Sequence, residues 1–128
     1  MQDRFKFRAW DKESKEMVYS DKEDAFYINT KGVLFMYKFP KKNEYYKDYS
    51  IMQCTGLKDR KGKLIYEGDI VKCGFSVEMF EEDYKFVVEY KKCWFGTDNN
   101  DLSQYDFLEV LGNIYENKEL LNNINKKN

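Results

Sequence analysis

"QCTGLKDRKGKLIYEGDIV", residues 53–71, decides how the fold is read. Asp59 is placed to cap a tight reversal with its carboxylate, and Gly62 sits where a left-handed residue is wanted. Glu67–Asp69 make a second turn: Gly68 permits the reversal, Asp69 accepts backbone N–H groups, and Ile70 and Val71 open the next strand. Gly56, Asp59, Gly62, Gly68 and Asp69 are therefore expected as turn residues of a hairpin and a barrel entry. The tip between the turns carries Lys58, Arg60, Lys61 and Lys63, candidates for contact with a phosphate backbone. Neither the Gly-x-Gly-x-x-Gly nor the Gly-x-x-x-x-Gly-Lys-Ser/Thr phosphate spacing occurs there.

The flanking sequence continues the β pattern. Phe5, Phe7 and Ala9 alternate with Arg4, Lys6 and Arg8 like a half-buried strand, and "WDKESKEMVY" (10–19) turns through Asp11–Lys15 into a partner strand. Apolar runs Ala25–Ile28 and Val33–Tyr37, joined by "NTKG" with Gly32, predict a second hairpin that Pro40 ends. Residues 41–48 read as loop or helical turn, and Tyr49–Thr55 as strand. Ile70 onward, Phe86–Tyr90, Lys92–Phe95 and Phe107–Ile114 supply further strands, with Gly112 expected as a bulge or close backbone approach. Asn117 is placed to cap a short helix containing Leu120, Leu121 and Ile124, before the tail frays. Short strands separated by turn signals predict a small barrel or sandwich.

Composition bounds the function. The chain has 128 residues, 42% apolar and 18% aromatic, enough for one cored domain, or a small domain with an appendage. Its net charge is −1, but residues 1–63 hold 15 basic and 10 acidic side chains (+5), and residues 64–128 hold 7 and 13 (−6). Such polarity can steer a basic face to an acidic partner or favour head-to-tail self-association, unless strands from both halves interleave and cancel it. No apolar run resembles a signal peptide's core or a membrane span. Cys54, Cys73 and Cys93 form no Cys-x-x-Cys pair, so a reducing cytoplasm and buried, small apolar thiols are expected.

Histidine is absent, which removes Ser-His-Asp and Cys-His nucleophile systems. Two carboxylate groups remain: Glu67 with Asp69, expected to be solvated alike, and the Glu81-Glu82-Asp83 run, expected as an exposed loop. A catalytic pair needs dissimilar environments. No enzyme activity, catalytic residue, cofactor or metal is therefore expected. Trp10, Tyr45, Tyr46 and Tyr49 could supply stacking faces for single-stranded nucleic acid if they lay beside the basic tip.

Three blocks, "KFRAWDKESKEM" (6–17), "MQCTGLKDRKGKLIYEGDIV" (52–71) and "LEVLGNIYENKELL" (108–121), resemble the YopX-like proteins of phages and prophages of Gram-positive bacteria. The resemblance implies a phage-encoded cytoplasmic protein. Its fold would be mainly β (α+β): an SH3-like barrel over 55–121, an N-terminal β-rich α+β portion over 1–54 that mediates assembly, and a tail over 122–128. It brings no activity or catalytic residue. The expected role is a protein-binding or self-assembling module: a homo-oligomer, or a partner of a host or phage protein. Nucleic-acid binding through the tip is the alternative.

Overall fold

The computed structural model describes residues 5–20, 26–31, 34–36, 49–74, 85–91, 94–96, 102, 105 and 107–125. The fold is mainly β. β1 (Phe7–Asp11) and β2 (Glu16–Tyr19) form the first hairpin. Its turn is built by Asp11, whose Oδ1 accepts the Glu13 N–H at 2.9 Å and the Ser14 N–H at 3.2 Å. Lys15 completes the reversal at φ 59°. β3 (Phe26–Ile28) and β4 (Leu34–Met36) form the second, within the expected apolar runs. Gly32 and Pro40 lie outside the described residues.

β5 (Tyr49–Lys58) organises the larger sheet. Its first half pairs with β1, from Asp11↔Tyr49 to Phe7↔Gln53. Its second half pairs with β6 (Leu64–Tyr66), giving the order β2-β1-β5-β6. The register shifts between Cys54 and Lys58, where Gly56 stands at φ 86°, and a bulge of this kind bends a strand. The sheets are antiparallel, and one curls into a half-barrel.

β7 (Asp69–Gly74) is central to the other main sheet, between β11 (Phe107–Asn113) and β8 (Lys85–Val87). β9 (Glu89–Lys91) and β10 (Trp94–Gly96) make a two-stranded ribbon. β11 bulges between Val110 and Gly112, as its glycine suggested. α1 (Lys118–Asn125) follows, and no described helix is long and apolar enough to cross a membrane.

The core lies against β6, β7, β8 and β11: Ile65, Val71, Cys73, Phe86, Val88, Leu102, Tyr105 and Leu108 cluster there. Alternation misjudged one position in β1. The period of two puts Arg8 in water, yet it is buried beside Ala9, so this strand is covered on both faces there.

Candidate functional site

The hairpin tip is built around Asp59, which is itself buried. Its Oδ1 accepts the N–H groups of Lys61 and Lys63, both at 2.9 Å, and its Oδ2 accepts the Val110 N–H at 3.0 Å. The Arg60 N–H donates to the Leu108 carbonyl at 2.9 Å. One carboxylate thus closes the turn and fastens it to β11. Burial alone would raise the Asp59 pKa, but the three N–H donors and the nearby Lys63 charge hold it below the ordinary value. Gly62, at φ 85°, supplies the left-handed residue.

Lys58, Arg60, Lys61 and Lys63 are all exposed on this fixed turn. Lys61 Nζ lies 2.8 Å from Glu109 Oε1 on β11. The Glu109 pKa is lowered, first by the Lys61 hydrogen bond, with burial opposing and the charges of Lys61, Arg60 and Lys72 adding to the fall. Sequence reasoning missed Glu109, because only the docking of the tip on β11 brings the two together.

The second turn departs from expectation. Glu67 and Asp69 are not solvated alike: Asp69 is fully enclosed and Glu67 only half-buried. Asp69 Oδ1 accepts Arg8 Nη2 at 2.8 Å, and its Oδ2 accepts the Tyr66 N–H at 2.8 Å. Burial pushes the Asp69 carboxyl above its ordinary range, with Arg8 and the Tyr66 N–H opposing. Arg8 also donates to the Glu67 carbonyl at 3.0 Å and lies 4.8 Å from the Tyr66 ring centroid. Glu67 Oε1 reaches across to accept the Gln53 N–H at 2.9 Å. The environments differ as a catalytic pair's would, but these oxygens are engaged in holding strands together.

Gly68 stands at φ 83°, and a Cβ there would meet Met52 Sδ at 3.1 Å. At Gly112 a Cβ would overlap the Asn117 side chain, 2.9 Å from its Cβ. Asn117 precedes α1 as expected, yet its Oδ1 accepts the Asn113 N–H at 3.1 Å instead of a helical one. Asn113 in turn accepts from Tyr115 and Glu116, closing the bulge-to-helix corner.

Of the stacking candidates, Trp10 and Tyr49 do not join the tip. Trp10 stacks on Tyr115 at 5.5 Å, and the Tyr49 hydroxyl donates to Asp11 Oδ2 at 3.0 Å. Tyr49 and Lys58 close opposite ends of β5, about 30 Å apart along the strand at the usual rise per residue. Tyr45, Tyr46, Cys93 and the Glu81-Glu82-Asp83 run lie outside the described residues. Cys54 and Cys73 are buried, and burial pushes the Cys73 thiol up to about 12, with a Tyr105 hydrogen bond opposing.

A strand-rich chain knitted by two capped turns and a bulged final strand defines a small antiparallel β protein. The chain belongs to the YopX protein family, whose model matches residues 6–122. Among solved structures it is similar to the crystal structure of protein EF1440 from Enterococcus faecalis: 31% identity, 91% of this chain and 96% of that chain covered, TM-score 0.58. No curated protein matches the chain.

Proposed function

We propose that the chain is a phage-encoded accessory module of the bacterial host cytoplasm, working by contact rather than catalysis. It would associate with further copies of itself through its N-terminal portion, or with a host or phage protein. Its segment 55–121 is taken as an SH3-like barrel, with 1–54 as the assembling portion. The observation that carries this is the engagement of the turn carboxylates and thiols among the described residues. Asp11, Asp59, Glu67 and Asp69 bind backbone or neighbouring side chains, and Cys54 and Cys73 are enclosed. Phe5 and Tyr90, by contrast, are each 56% exposed, which suits contact. Light scattering at about 50 µM, where a micromolar interface is populated, is expected to show a dimer or larger species. A monomer there that also captures no reproducible partner from infected cells overturns the proposal.

A second function is favoured by one observation: the four exposed tip cations sit on a turn fastened to β11 while the Asp59 charge is turned inward. Nucleic-acid binding through the tip predicts affinity that falls steeply with salt. Wild-type chain that binds no DNA at low salt disposes of it.

A further inference from the structure

The tip is continuous with a second set of cations that sequence spacing conceals. Val71 and Cys73 belong to the core, so Lys72 between them faces the opposite side of the sheet. Its register partners are Glu109 on β11 and Lys85 on β8, directly opposite on either side. Glu109 in turn meets Lys61 and feels the charge of Arg60. Lys85, Lys72, Glu109 and Lys61 therefore follow one another across three strands and onto the hairpin, with Arg60 alongside. Opposed residues in such a row stand roughly 5 Å apart. Lys72 stands between Lys85 on one side and Glu109 on the other, so the carboxylate offsets part of the repulsion between the two lysines.

We propose that Arg60, Lys61, Lys72 and Lys85 form one cationic band over the β8-β7-β11 face and the hairpin tip, and that it holds the phosphate backbone of nucleic acid without reading sequence. This rests on the nucleic-acid function of the tip and extends it across two further strands. Counting Glu109, the band keeps three positive charges in excess, on a chain whose overall charge is −1. Three of its four cations are lysines, point charges suited to phosphate rather than planar recognition of a base edge. The band's five residues include no aromatic anchor of the sort that carries protein–protein affinity. Trp10 and Tyr49 lie near the far end of β5, so neither reaches a base held at the band.

The test is fluorescence anisotropy with labelled mixed-sequence DNA duplexes between about 50 and 200 mM salt. The wild type is expected to bind unrelated duplexes alike, with log affinity falling linearly against log salt. K72Q/K85Q is expected to reduce that slope by about one per lysine while leaving the circular dichroism and melting temperature in place. E109Q is expected to tighten binding. If K58Q/R60Q/K61Q/K63Q abolishes binding while K72Q/K85Q matches the wild type, the band is overturned and the tip alone stands. Binding of poly-glutamate but not DNA, or no binding of the wild type at low salt, overturns both.

Discussion

Arg8 and Asp69, 61 residues apart in the chain, meet at 2.8 Å with both side chains only 2% exposed. The pair fastens β1 to the turn that starts β7. Arg8 adds the Glu67 carbonyl and the Tyr66 ring, and Tyr19 packs edge-on against the same ring at 5.7 Å. Among the described residues, Arg8 Nε has no acceptor, so the guanidinium is held on one side only. The first hairpin and the β6–β7 turn therefore share one polar anchor.

Removing either half should be severe. R8M or D69L is expected to lose about 3–5 kcal/mol of stability, because each strands its buried partner. The double variant R8M/D69L should recover part of the loss, since replacing a buried pair by apolar groups is often neutral, while the Tyr66 N–H and the Glu67 carbonyl still lose their partners. Urea titrations analysed as a double-mutant cycle measure the coupling. Additive losses would show that the two side chains act independently.

Asp59 gives the fold an acid limb. Its folded pKa lies below the ordinary 3.8, so its contribution is fully present above the unfolded value and is lost as pH falls through the folded one. D59N should therefore lower stability at pH 7 and flatten the decline below pH 4. Asp11, also lowered, leaves part of that decline in place: burial there raises the pKa, but bonds from Ser14, Tyr49 and Glu13 outweigh it. Unfolding free energy measured from pH 7 to 3 decides it. A D59N curve parallel to the wild type would remove Asp59 from the acid limb.

Local chemistry was legible where neighbours in sequence are neighbours in space. The 10–19 reversal, the Asp59–Gly62 tip, the Gly112 bulge and the short helix after Asn117 all follow from turn residues and apolar runs. Residues whose roles depend on distant strands were not legible. Alternation places Arg8 in water because its acceptors, Asp69 and the Glu67 carbonyl, are some sixty positions on. The same blindness made Glu67 and Asp69 look equivalent and hid Glu109 and Lys72 from the tip. Asn117 shows a subtler miss: position and residue type suit a helix cap, but the glycine beside it opens a nearer donor on Asn113.

Two glycines with nearly equal φ should respond differently to alanine. At Gly62 a Cβ meets nothing within 4 Å, so G62A costs only the left-handed conformation, roughly 1–2 kcal/mol. At Gly68 the same strain is joined by Met52 Sδ at 3.1 Å and by Ile114 and Arg8 close behind. G68A should therefore cost distinctly more, and pairing it with Met52→Ala should not restore the strain component. Thermal denaturation ranks them, and equal losses would mean that the crowding at Gly68 relaxes freely.

The buried thiols should be chemically silent until the fold opens. Cys73 sits in the core at 0% exposure with its pKa pushed up to about 12, so at pH 8 almost none of it is thiolate, the reactive form. Cys54 is equally enclosed. Iodoacetamide treatment at pH 8 followed by peptide mass spectrometry is expected to leave both unmodified in the native chain and to alkylate both in denaturant. Because Cys73 lies between β8 and β11 and Cys54 on β5, their rates report opening of two different sheets. R8M should speed alkylation of Cys54 at least as much as that of Cys73, since Arg8 lies on the strand paired to β5. Rapid native labelling of Cys73 would show that the core around Leu102, Tyr105 and Leu108 is not closed.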